Sequence, residues 1–203
     1  MHLNREGNES RMSGFSESLQ EAMGVLSSLT ELEPALVRSA DRCSECLKSG
    51  GKLLICGNGG SAAEAMHLVG ELAGRYKKDR VPLAAISLGA DPVLTTCVGN
   101  DYSYEEIFSR QVRALGRRGD VLVAFSTSGR SPNVIEALKL AREMGIESIA
   151  FLGNDGGPAL ALASEALVVM HTDTARIQEG HQFLMHSLMD MVEVAVAESN
   201  ASR

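Results

Sequence analysis

Hydrophobic positions change rhythm partway along the chain. From Ser16 to Gly50 they recur every three or four residues. Leu19, Met23, Leu26 and Leu29 form one such set, and Leu36, Ala40, Cys43 and Leu47 another. Each set shares one face of a helix. Thr30 and Glu33 have the spacing of a capping box, and Pro34 suits the first turn of a helix. The pattern predicts two helices broken near residues 30–33, with Gly50 and Gly51 ending the second. Residues 1 to about 13 read as a polar tail.

After Gly51 the apolar residues come in short unbroken runs: KLLIC (52–56), LAAIS (83–87), VLVAF (121–125), SIAFL (148–152) and ALVVM (166–170). Helical stretches are expected between them, at 61–76, 92–99, 103–116, 132–144 and 158–163, with a long last helix over 176–198. Wholly apolar strands alternating with helices predict an α/β three-layer sandwich, a five-stranded parallel sheet covered on both faces. No internal repeat or second domain is evident. Residues 1–50 read as tail and helices, and 51–203 as the α/β domain.

A chain of 203 residues can bury a core without staples. Its net charge of −7 argues against a nucleic-acid surface but leaves room for a local anion site. No apolar run reaches the length of a membrane span, and the polar N-terminus lacks a signal core, so a cytoplasmic protein is expected. Cys43 and Cys46 form a lone C-x-x-C within a helical pattern, which reads as structural thiols in a reducing compartment.

Chemistry is foreshadowed where strands end. CGNGGS (56–61) follows the first predicted strand. Gly57, Gly59 and Gly60 permit a sharp turn and close approach of a ligand, and the helix opening at Ser61 offers the positive end of its dipole. The same residues match G-x-G-x-x-A, but the acid that would hold a ribose is displaced to Asp91, beyond Gly89. A plain tight turn is the bland alternative. FSTSGRSPN (125–133) follows the third strand and crowds Ser126, Thr127, Ser128 and Ser131 around Gly129 before a Pro-initiated helix. Hydroxyls beside a helix N-terminus suit a phosphate.

His67 and Glu71 share a helix face at i, i+4 spacing, with Glu64 one turn earlier. The pair could hold a metal, act as acid and base, or simply bond at the surface. Gln178, Gln182 and His186 step by four along the last helix, where His186 amid apolar neighbours could equally be a core histidine. Asn100 and Asp101 form a further polar turn in which Asp101 could cap a helix or orient a hydroxyl.

Five segments taken in order, CGNGGS, MHLVGEL, CVGNDYSYEEIFSRQV, STSGRSPNVIEAL and RIQEGHQFLMH, resemble the sugar isomerase (SIS) family and, within it, the phosphoheptose isomerases. The resemblance spans nearly the whole chain. It implies a flavodoxin-like SIS sandwich assembled as a homotetramer whose core includes the N-terminal helices. It also implies interconversion of sedoheptulose 7-phosphate and D-glycero-D-manno-heptose 7-phosphate, feeding the heptose of lipopolysaccharide and other surface glycans. The implied substrate contacts are Asn58, Gly59, Gly60, Ser61, Glu71, Asn100, Asp101, Ser126, Thr127, Ser128, Ser131 and Gln178. Glu71 and His186 match the acid/base pair, and His67, Glu71, Gln178 and His186 match zinc-binding positions. Thr174-Ala175 stand where some members carry an acid. Along one continuous helix Gln178 and His186 would lie roughly 12 Å apart, so sharing an ion requires Gln178 to precede the helix or reach back. A non-catalytic SIS binding module, such as a replication-initiator partner, is the alternative. So is an isomerase for another sugar phosphate. Glu71 and His186 together favour an enzyme.

Overall fold

The structure is a computed structural model that describes the backbone of residues 5–201 and the side chains of 14–197. Five parallel strands form its centre: β1 (Leu53–Gly57), β2 (Ala85–Ser87), β3 (Val121–Ser126), β4 (Glu147–Gly153) and β5 (Glu165–Val169). Their order is β2-β1-β3-β4-β5. The expected parallel sheet is therefore present, in the doubly wound order whose switch point lies between β1 and β3.

Strand residues alternate between two cores. Leu53, Ile55, Val121, Val123, Phe125, Ile149 and Phe151 face one layer of helices. That layer is α1 (Arg5–Ser28), α2 (Glu33–Lys48), α3 (Gly60–Val69) and α7 (Thr174–Ala201). Leu54, Cys56, Leu122, Ala124, Ala150 and Leu152 face the other. There lie α4 (Pro92–Asp101), α5 (Ser109–Leu115) and α6 (Pro132–Glu143). The period-two alternation of side chains across a strand makes every central residue a core residue, which is why the strands read as unbroken apolar runs. The N-terminal helices share a core with α7: Val25, Leu29, Leu36 and Ala40 pack in one cluster with Leu184, Leu188 and Val192.

Several local expectations are corrected. The stretch taken as a polar tail is helical from Arg5, with α1 continuing through Gly7 and Gly14 without a breaker. The Thr30–Glu33 capping box does not form. Thr30 donates to Ser27 O, α2 has no side-chain cap, and a 3₁₀ turn over Leu29–Leu32 joins the two helices. The helix expected over 61–76 is α3 followed by a π turn over Gly70–Gly74. The helix expected over 103–116 is a 3₁₀ turn, Tyr104–Glu106, followed by α5, and the one at 158–163 shortens to a 3₁₀ turn at Pro158–Ala161. Asp91, not Asp101, caps a helix: its Oδ1 accepts from the N–H groups of Val93 and Leu94 at 2.8 and 3.1 Å.

Among the described residues, no helix is long and apolar enough to cross a membrane. All four cysteines are free, and Cys43, Cys46 and Cys56 are buried while Cys97 is exposed. Burial pushes the Cys46 thiol up to about 11 and that of Cys56 up to about 12. Cys43 is raised further by burial and by Cys46 beside it. A thiol with so little thiolate is a poor nucleophile. A thiol reagent applied to the native protein at pH 7.5 should modify Cys97 alone, detectably by peptide mass mapping, with the other three reacting only on unfolding. Rapid native labelling of Cys43 or Cys46 would overturn the structural reading of the C-x-x-C.

Candidate active site

Both loops expected to bind a ligand leave the sheet beside its switch point. The glycine loop connects β1 to α3 and the serine loop connects β3 to α6, and β1 pairs directly with β3. Gly59 adopts φ +57, a left-handed backbone suited to glycine. Gly60 lies against the amide of Gln178 on α7, so that a Cβ there would come within 2.2 Å of its Nε2 and the glutamine would have to shift. Ser61 is buried in the first turn of α3.

The two loops are tied by an amide pair. Asn58 Nδ2 donates to Asn133 Oδ1 at 2.8 Å, and Asn133 Nδ2 donates back to Asn58 Oδ1 at 2.9 Å. Tyr104 adds its hydroxyl to Asn58 Oδ1 at 3.0 Å. In the serine loop, Gly129 N–H donates to Ser126 Oγ at 3.1 Å, and Ser126 Oγ stands 3.3 Å from Ser131 Oγ. Ser131 occupies the N-cap position of α6 but spends no side-chain hydrogen bond on capping. Its hydroxyl therefore stays at the positive end of a helix. Arg130 turns out of the loop to Asp155 at 2.6 Å. An anion here would meet hydroxyls and backbone rather than that guanidinium. Thr127 and Ser128 lie between these residues, and Ser128 Oγ accepts from Arg130 N at 3.1 Å. Asn100 and Asp101 bond to each other at the end of α4, at 2.7 Å.

The decisive cluster lies where α3 and its π turn pass α7. His67 Nε2 and Glu71 Oε1 are 2.9 Å apart. Gln182 stands between the two histidines, its Nε2 at 3.0 Å from His67 Nδ1 and 3.1 Å from His186 Nε2. The imidazoles of His67 and His186 meet edge to face, with centroids 5.1 Å apart. Tyr76 stacks on His186 and donates its hydroxyl to the His186 carbonyl at 3.3 Å. One ligand atom from each of His67, Glu71 and His186 lies within 4.8 Å of the others. Two imidazole nitrogens and a carboxylate oxygen are a donor set that suits a borderline-soft divalent cation such as zinc.

Three of the four residues expected at a metal, His67, Glu71 and His186, are thus brought together. α7 is continuous from Thr174, so Gln178 does not lie in a preceding turn, and its side chain packs on Gly60 in the substrate loop. Gln182, one turn nearer His186, takes the central position. Its place in the i, i+4 series Gln178-Gln182-His186 was the available signal. Nothing in the spacing marked Tyr76, Tyr104 or Asn133.

His186 is half-buried, and the core histidine of this helix is His181. His181 Nε2 is 2.9 Å from the Leu152 carbonyl, which only accepts, so that nitrogen carries the proton. Its Nδ1 faces Oε2 of buried Glu64 at 3.7 Å. Glu64 thus points into the core, where neither carboxylate oxygen accepts a hydrogen bond, and His67 pairs with Glu71 instead.

The SIS domain family model matches residues 18–153. A phosphoheptose isomerase of Neisseria meningitidis is 47% identical over 190 residues, covering 91% of this chain and 93% of that protein. The solved structure of a phosphoheptose isomerase from Neisseria gonorrhoeae superposes with a TM-score of 0.82 at 43% identity, covering 92% of this chain and 98% of that one. The chain belongs to the phosphoheptose isomerase family. A further member of known structure, from Francisella tularensis, has a TM-score of 0.83 at 34% identity, covering 92% and 97% of the two chains. Membership makes this chain an isomerase and sets aside the reading as a non-catalytic binding module. The family's fold is the five-stranded sandwich described above.

Proposed function

We propose that the chain interconverts sedoheptulose 7-phosphate and D-glycero-D-manno-heptose 7-phosphate, supplying precursor for heptose-containing surface glycans such as lipopolysaccharide. The observation that carries the reading is the His67–Glu71–Gln182–His186 cluster, built beside two anion-suited loops at the switch point of the sheet. The substrate class follows the names of the relatives.

Ketose–aldose isomerisation removes a proton from one carbon, passes through an enediol and returns a proton to its neighbour, while a hydroxyl proton shifts between the two oxygens. Each transfer needs a positioned acid or base. Glu71 and His186 divide these transfers, and His67 and Gln182 hold their orientation through the hydrogen bonds described. Ser126, Thr127, Ser128 and Ser131 hold the phosphate, so binding energy distant from the reacting carbons fixes their position. Asn58, Gly59, Gly60, Ser61, Asn100, Asp101 and Gln178 line the sugar's approach. Zinc is the cofactor proposed, held by His67, Glu71 and His186; when bound it would polarise oxygens of the sugar.

A cytoplasmic homotetramer is proposed as the working form. Supporting it, Phe15 and Met23 of α1 are 70% and 60% exposed in the single chain, and Leu19 between them is also exposed. An apolar stripe of this kind is what an isologous helix interface buries.

The test is incubation with sedoheptulose 7-phosphate in D₂O, followed by NMR. The expected result is the manno-heptose phosphate carrying solvent deuterium at C2. Folded, zinc-supplemented protein that converts none of it, but turns over another ketose phosphate, would reassign the substrate.

A further inference from the structure

We infer that Arg80 and Glu193 are positioning residues for Glu71, acting through its backbone. The inference rests on Glu71 being an acid/base group.

Glu71 lies in the π turn Gly70–Gly74, after which the chain turns extended at Arg75, with φ −148 and ψ 137. A helix end leaves its last carbonyls without intrahelical donors, and π turns are costly arrangements that recur at functional sites. Here one side chain reaches two successive carbonyls, and the N–H of Leu83 also donates to Leu72 O at 3.0 Å. Arg80 Nη2 donates to Glu71 O at 2.5 Å, and Nη1 donates to Leu72 O at 2.8 Å and to Val81 O at 3.3 Å. The planar fork of a guanidinium matches two successive carbonyls, which an ammonium cannot do.

A cation in this place needs a counter-charge. The Arg80 side chain is only 10% exposed, and Glu193, 5% exposed, approaches its Nε at 3.4 Å. The Glu193 carboxylate also accepts from Lys78 N at 3.3 and 3.2 Å, which anchors the segment that presents Arg80. Glu193 belongs to α7, two turns beyond His186 on the same side of that helix. The contacts close a circuit. α7 carries His186 and Glu193, Glu193 holds Arg80, and Arg80 holds the carbonyl of Glu71. The circuit sets the register of Glu71 against His186 without touching substrate.

Arg80→Lys keeps the charge but loses the fork. Glu193→Gln keeps the shape but loses the counter-charge. Each should lower kcat about tenfold to a hundredfold while KM stays within about twofold, since displacing a reacting group by an ångström costs on that order. The sharper measurement is the double variant. Residual deuterium incorporation by Glu71→Gln should be unchanged when Arg80→Lys is added, because the lysine variant acts only through Glu71. If Arg80→Lys does not fold, Glu193→Gln, alone and combined with Glu71→Gln, decides by the same criteria. Unaltered kcat in folded variants, a loss confined to KM, or losses that multiply in the double variant would overturn the inference. Full activity of Glu71→Gln would instead remove the acid/base reading on which it rests.

Discussion

Glu71→Gln and His186→Ala should each lower turnover by about two to four orders of magnitude, with fold and thermal stability nearly unchanged. The size follows from what a positioned acid or base contributes to a proton transfer. The small structural cost follows from their setting. Both are only half-buried, and neither belongs to the apolar clusters on the two faces of the sheet. A glutamine at 71 keeps the length and an oxygen acceptor for His67 but cannot take a proton. Removing the imidazole at 186 deletes the ring on which Tyr76 stacks and one partner of Gln182. The two losses should not add, because a proton relay broken at one point gains little from a second break. Steady-state kinetics of the single and double variants, with circular dichroism as the control for folding, would check this. Near-wild-type turnover in both single variants would refute the assignment.

Gly129→Ala should be the most damaging single-methyl change in the substrate loops. Gly129 has φ +60, and a Cβ there would lie 1.9 Å from the carbonyl oxygen of Gly156. The serine loop is docked backbone to backbone on the loop after β4. Ala159 N–H donates to Gly129 O at 3.1 Å, and a Cβ on Gly157 would meet that same oxygen at 2.7 Å. Left-handed strain and backbone overlap together cost about 2–5 kcal/mol. For a chain of this size that lowers Tm by roughly 4–20 °C. Relief requires the loop to lift, moving Ser126, Ser128 and Ser131, so KM for the sugar phosphate should rise as well. Gly59→Ala is the matched control: its φ is +57, but nothing lies within 4 Å of the added Cβ. Only the conformational penalty remains there, about 1–3 kcal/mol for a side chain at φ +57 and ψ −122. Thermal unfolding of the pair separates crowding from strain. Equal Tm values would show that the two loops do not pack as described.

The order of elements and the positions of both loops were legible from the chain because their causes are local. Continuous apolar runs such as VLVAF mark strands buried on both faces, and every predicted strand is found within a residue or two. Glycines after β1 and hydroxyls after β3 mark ligand loops, since a parallel sheet presents the carboxyl ends of its strands to ligands. The spacing of His67 and Glu71 marked a shared helical face, and their contact follows. Family-specific motifs carried the resemblance that the comparisons then placed on firm ground.

What the chain alone left open concerns contacts between elements distant in sequence. Periodicity assigns a residue to a face but not to the neighbour that the face meets. It therefore could not say that His186 would meet His67 while His181, five residues earlier, would be the buried histidine facing Glu64. Nor could it say that Gln182 would bond both histidines while Gln178 packs on Gly60, since both lie on one stripe of α7, and their contacts depend on the height at which α3 crosses it. The π turn carrying Glu71 was read as ordinary helix for the same reason. Its carbonyls accept from Arg80 and from Leu83 N–H, and Arg80 is paired with Glu193, more than a hundred residues further on, which no local propensity records. Helices, strands and loop chemistry are written in short-range sterics and hydrogen bonding, whereas the register between α3 and α7 exists only once both are packed on the sheet.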